Sequence, residues 1–122
     1  MKENASVTVR IDGSVMTALI EGEIDHHGAR GVRDGIDECF AESGARRLVL
    51  DMSRVKFMDS SGLGLILGGY AKAEARGASF AVADPSDSVR RVLDVAGAGR
   101  IVEIADTKEK TARGRGAAKR AK

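Results

Sequence analysis

Val55-Lys56-Phe57-Met58-Asp59-Ser60-Ser61-Gly62-Leu63-Gly64 is where the chain changes its periodicity, and the change decides the fold class. Just upstream, Arg47 to Met52 holds the apolar run Leu48-Val49-Leu50, the pattern of a central strand covered on both faces. Just downstream, Leu63, Ile66, Leu67 and Tyr70 recur at intervals of three and four, the stripe of a helix beginning near Ser60 and ending at Gly77. Between them a short loop is expected to carry Phe57 and Met58. Strand, short loop and helix in that order make a β–α unit of a parallel sheet.

The same alternation of periods continues outward. Toward the N-terminus, Val7, Val9 and Ile11 alternate, and Asp12-Gly13 reads as a turn. Ser14 to Gly22 resumes an extended pattern, which completes a hairpin. Arg30 to Ser43 then has helical spacing, with Val32, Ile36, Cys39 and Phe40 on one face and Gly44 as its stop. Toward the C-terminus, Ser79 to Ala83 is a further strand closed by Asp84-Pro85. Ser86 or Asp87 caps a helix bearing Val89, Val92, Leu93 and Ala96, Gly97-Ala98-Gly99 breaks it, and Ile101 to Ile104 is a last strand. The order β-β-α-β-α-β-α-β predicts an α/β domain, one mixed β-sheet with helices packed on it.

Charge divides the chain in two. Residues 107–122 hold seven basic side chains against one acid, and residues 1–106 hold 13 against 17, so a +6 segment follows a body of −4. The only apolar residue type in 107–122 is alanine, too little to offset the entropy of ordering. The expectation is a domain over 1–106 and a basic, disordered tail over 107–122. At 43% hydrophobic and 31% charged the composition is that of a globular protein. No apolar run approaches the ~20 residues of a membrane helix, so no membrane insertion is expected, and the expected location is cytoplasmic. The single Cys39 lies on an apolar face and reads as a buried thiol.

Ser60 is the residue of chemical interest. It falls at or beside a helix N-cap, where a serine is a normal capping residue. Gly62, Gly64, Gly68 and Gly69 place four glycines in the first half of that helix, each costing about 1 kcal/mol relative to alanine. Such a sequence suggests that something approaches the backbone closely. Phe57 and Met58 can supply a small apolar surface beside it. A phosphate on Ser60 would meet the positive end of the helix dipole while adding about −1.5 to −2 charge next to Asp59.

Phe57-Met58-Asp59-Ser60-Ser61-Gly62-Leu63-Gly64 resembles the signature of the STAS-domain anti-sigma factor antagonists, closest to the sporulation type. Gly22-Glu23-Ile24-Asp25-His26-His27, Leu65-Ile66-Leu67-Gly68-Gly69-Tyr70 and Val89-Arg90-Arg91-Val92-Leu93-Asp94-Val95-Ala96-Gly97 are similar to further family segments, in the family's order. The resemblance implies a STAS fold and a partner switch. The unphosphorylated protein binds an anti-sigma factor with serine kinase activity and frees the sigma factor. Phosphorylation of Ser60 switches binding off, and a metal-dependent serine phosphatase restores it. It also implies partner contacts at Asp25, Phe57, Met58, Asp59, Ser60, Ser61, Gly62, Leu63 and Gly64, with Ser61 a structural neighbour rather than the acceptor. The family's usual fourth, amphipathic helix finds no apolar stripe in the basic tail. STAS domains also serve as ligand-sensing modules and as subunits of lipid-transport complexes. The Asp-Ser-Ser-Gly acceptor in a stand-alone chain favours the sigma switch.

Other chemistries fit poorly. Asp25-His26-His27 with Asp51 or Asp59 lacks metal-ligand spacing. Ser60 is not in a Gly-x-Ser-x-Gly setting, and Gly62-x-Gly64 with Gly68 is not a dinucleotide loop. The expectation is a non-enzyme without cofactor or metal. The tail has no aromatic residue for specific nucleic-acid recognition.

Overall fold

Alternating residues in five segments of the chain hydrogen-bond side by side into one sheet, and the computed structural model describes residues 5–107 of it. β1 (Ala5–Asp12) and β2 (Val15–Ile24) form the hairpin. α1 (His26–Ser43), β3 (Arg47–Met58), α2 (Ser60–Ala75), β4 (Ser79–Ala83), α3 (Asp87–Ala96) and β5 (Glu103–Ala105) follow. Strands lie in the order β1-β2-β3-β4-β5; only the β1–β2 pair is antiparallel, so the sheet is mixed as expected.

Register builds the core. Met16 stands opposite Leu48 and Leu48 opposite Phe80; Ala18, Leu50 and Val82 form the next row. All six are buried, and they pack with Val32, Ile36 and Phe40 of α1, Leu65 and Ile66 of α2, and Val89 and Leu93 of α3. All three helices therefore cover one face. That follows from chirality: each parallel crossover steps the same way along the sheet, and right-handed crossovers then put every helix on the same side.

The other face carries no helix among the described residues, which corrects the expectation of a strand covered on both sides. Val49 and Asp51 of β3 are only half-buried there, like Val15 and Leu19 of β2. Arg47 reaches across this face, donating to Ser79 Oγ at 3.1 Å and to the Glu103 carboxylate at 3.2 and 3.3 Å. A pair this exposed adds little stability, yet it ties β3 to the edge strand.

Several boundaries differ from the sequence expectation. The hairpin turn is Gly13-Ser14, with Asp12 still paired to Val15; Gly13 takes the left-handed φ of 64°. α1 starts at His26, not Arg30, because Asp25 caps it; Gly28 and Gly31 hide the first turn from an apolar pattern. β3 runs on to Met58 because β2 accompanies it to Ile24, and two register shifts break the alternation that would have revealed it. The α2 stripe is rotated: Leu65, Ile66 and Ala73 are buried, while Leu63, Leu67 and Tyr70 are half-buried. Cys39 lies at the margin of the α1 stripe and is half-buried rather than buried. β5 is Glu103–Ala105, leaving Ile101 53% exposed. The expected tail falls, apart from Thr107, outside the described residues.

Candidate functional site

β2 and β3 end side by side and hand the chain to their helices in the same manner. Ile24 pairs with Met58, and the Asp59 N–H donates to the Ile24 carbonyl at 3.3 Å. An aspartate follows each strand in nearly the same backbone conformation: Asp25 at φ −101°, ψ −168° and Asp59 at φ −107°, ψ −167°. Asp25 Oδ1 accepts from the Gly28 N–H at 2.9 Å, and Asp59 Oδ1 accepts from the Ser61 N–H at 2.8 Å. The result is a pair of adjacent strand–Asp–helix junctions. Their first helical residues are His26 and Ser60.

This geometry answers the capping question. Asp59 is the cap, and Ser60 is the exposed first residue of α2. The Ser60 hydroxyl makes no hydrogen bond among the described residues, so it is open to modification without loss of a contact.

The expected contact residues divide by exposure. Ser60 and Gly64 are exposed, and Asp25, Asp59, Ser61 and Leu63 are half-buried. Phe57 is 49% exposed, whereas Met58 is 4% exposed and turns into the core. The expected Phe57–Met58 surface is therefore corrected to Phe57 alone, because both residues belong to a strand and face opposite ways. Gly62 is also buried.

The four glycines divide in the same way. A Cβ on Gly62 would stand 2.2 Å from Met58 Cγ, and one on Gly69 would stand 2.9 Å from Phe80 Cε1. Those two glycines let α2 lie close to the sheet. Gly64 and Gly68 would meet nothing within 4 Å. Gly64→Ala is accordingly expected to raise stability by up to about 1 kcal/mol through helix propensity. Gly62→Ala should lower it by about 1 kcal/mol, as overpacking outweighs the same gain. Urea denaturation of both variants checks the opposite signs.

The Gly28 N–H holds the Asp25 carboxyl below its ordinary value of 3.8; desolvation opposes this, and the His27 N–H and charge add to the lowering. A depressed value means that the folded state favours the ionised form. The contribution is present above pH 3.8 and is lost as pH falls through the folded value. Wild type should therefore exceed Asp25→Asn in thermal midpoint at neutral pH, with the difference shrinking below pH 3.8; melts across pH 2–7 check this.

His26 and His27 stand edge to face, ring centroids 5.6 Å apart, and no group of three metal-ligating side chains forms among the described residues. No helix among them is long and apolar enough to cross a membrane.

The chain is similar to known proteins in sequence and in fold. The anti-sigma F factor antagonist of Paenibacillus polymyxa is 36% identical over 103 residues, spanning 84% of this chain and 88% of its own. The solved structure of the unphosphorylated anti-sigma factor antagonist SpoIIAA superposes with a TM-score of 0.71 at 28% identity, covering 93% of this chain and all of SpoIIAA. The phosphorylated form of SpoIIAA, a Bacillus cell fate determinant, gives 0.66 at 27% identity, covering 88% and 98%. Residues 6–111, which hold both junctions, match the family model of the STAS domain. The chain therefore belongs to the STAS domain family, and its likeness within that family is to the anti-sigma factor antagonists.

Proposed function

We propose that this protein binds an anti-sigma factor with serine kinase activity through Asp25, Phe57, Asp59, Ser60, Ser61, Leu63 and Gly64, and that phosphorylation of Ser60 ends the binding. The observation that carries the reading is Ser60 itself: exposed, relieved of capping by Asp59, and placed at the first turn of α2, three residues after the half-exposed Phe57. In the modification, Ser60 Oγ attacks the γ-phosphorus of ATP held by the partner. The bond to the ADP oxygen breaks, and the hydroxyl proton passes to the partner's general base. The product ester adds about −1.5 to −2 charge to a docking face that already holds Asp25 and Asp59. A metal-dependent serine phosphatase would return the hydroxyl by hydrolysis. The protein itself catalyses nothing in this scheme.

Incubation with the anti-sigma kinase and ATP, read by mass spectrometry, tests the reading. The expected result is one phosphate on Ser60 in wild type and in Ser61→Ala, and none in Ser60→Ala. Phosphate on Ser61, or none with binding intact, would overturn the assignment and favour a ligand-sensing or transport role.

A further inference from the structure

Between the first turns of α1 and α2 lies a groove of about 230 Å³, walled by His26, Arg30 and Arg33 on one side and by Ser61 and Gly64 on the other. Helical spacing explains its composition. Residues 26, 30, 33 and 37 follow one another along the α1 face turned to α2, and 61, 64, 68 and 72 answer them along α2. At the far end of this seam Lys72 and Asp37 form an ion pair at 3.3 Å. At the near end no acid among the described residues pairs with the cations. Among the described residues Arg30 and Arg33 make neither an ion pair nor a hydrogen bond. The two carboxylates closest in sequence to the junctions, Asp25 and Asp59, are engaged by backbone N–H groups. The space above Gly64 is open, since a Cβ there would meet nothing within 4 Å.

We propose that this groove is a phosphoryl-anion site, in which Arg30 and Arg33 take up the phosphate carried by Ser60. The inference rests on the reading of Ser60 as the acceptor and adds what holds the product. Ser60 directly precedes Ser61, which lines the groove opposite Arg30. Side chains on a helix lean back toward its N-terminus, so Arg30, one turn below His26, leans toward the end at which Ser60 stands. Arginine and phosphate make charge-assisted, bidentate hydrogen bonds, and Arg33 one turn further down adds a second cation. The negative charges that oppose this are Asp25 and Asp59 at the junctions and Asp34 on α1; Asp37 is taken by Lys72. Captured in this way, the phosphate engages the two arginines beside the docking face and fills the groove that opens next to Ser61.

The test compares wild type with the double variant Arg30→Gln/Arg33→Gln. Both positions are exposed and glutamine is a good helix former, so the variant is expected to fold, which circular dichroism verifies. In the Ser60-phosphorylated proteins, ³¹P NMR follows the second ionisation of the ester. The midpoint in wild type should lie about one pH unit below the usual ~6, and that of the double variant should return to ~6. Equal midpoints would overturn the proposal. A second arm needs no modification: inorganic phosphate is titrated into the unmodified chains while the amide resonances of Ser61 and Gly64 are followed. Saturable shifts in wild type, weakened at least about threefold in the variant, support the site, since loss of a charged hydrogen-bonding partner has at least that effect. Identical responses in both chains would overturn it. If Ser60 accepts no phosphate from the kinase, the acceptor reading fails and the second arm alone decides whether the groove binds phosphate.

Discussion

Ser60→Asp is expected to weaken binding of the anti-sigma kinase by about 30-fold or more, while Ser60→Ala binds as wild type does and no longer responds to ATP. The magnitude follows from desolvating an added charge in the interior of an interface and facing it with groups arranged for a neutral hydroxyl. Such a misplaced charge costs about 2–5 kcal/mol, and 2 kcal/mol is already about 30-fold. The fold should not suffer. Ser60 is exposed at the first position of α2, where a carboxylate is favoured by the helix dipole, so the thermal midpoint of Ser60→Asp should equal or exceed that of wild type. Titration calorimetry with the kinase, paired with melts of the free proteins, separates the two effects. Equal affinities of the Asp and Ala variants would defeat the switch.

Phe80→Ala should remove about 3–5 kcal/mol of stability, a large part of the 5–15 kcal/mol that a domain of this size possesses. Phe80 is one of only three phenylalanines in a chain without tryptophan, so little else of its volume is available to fill the gap. Its ring packs against Gly69 in the middle of α2 and meets the Tyr70 ring edge to face, 6.2 Å between centroids. The contact is specific enough to be tested by non-additivity. Gly69→Ala alone places a Cβ 2.9 Å from Phe80 Cε1 and should destabilise. With Phe80→Ala already in place the same Cβ keeps only an ordinary contact with Leu48 Cδ2 at 3.9 Å and should stabilise, through helix propensity and partial filling of the cavity. Denaturant unfolding of the four proteins of this cycle gives the coupling directly. Additive effects would mean that α2 can shift away from β4 without penalty.

Local chemistry explains how much of this was legible in advance. Helix and strand types, their order and the mixed sheet follow from periodicities of 3.6 and 2, and these survive in any window that holds enough apolar residues. The N-terminus of α1 escaped because Gly28 and Gly31 carry no hydrophobic signal, although Asp25 three residues before Gly28 is a capping position that could have been found. The second half of β3 escaped for a different reason. Its register shifts against β2 displace Val55 and Met58 from strict alternation, and only the neighbouring strand reveals that the chain is still extended. Tyr70 and Leu67 illustrate the same limit in α2: helical spacing predicts a stripe, but which edge of it is buried depends on where β4 and Phe80 stand.

The candidate site shows the same division. The sequence by itself determined that Asp59-Ser60-Ser61-Gly62 opens a helix after a buried strand and that a serine lies at that opening, because caps and strand ends are written in consecutive residues. Only the tertiary structure decided that Asp59 rather than Ser60 is the cap, that Met58 turns inward beneath Gly62, and that Asp25 forms a matching junction next door. It also decided that Arg30 and Arg33 face Ser61 and Gly64 across a groove. The paired junctions and the groove are relations between residues some thirty positions apart. The parallel register of β2 with β3 fixes them, and that register is set by burial of whole rows such as Met16, Leu48 and Phe80 rather than by any local pattern.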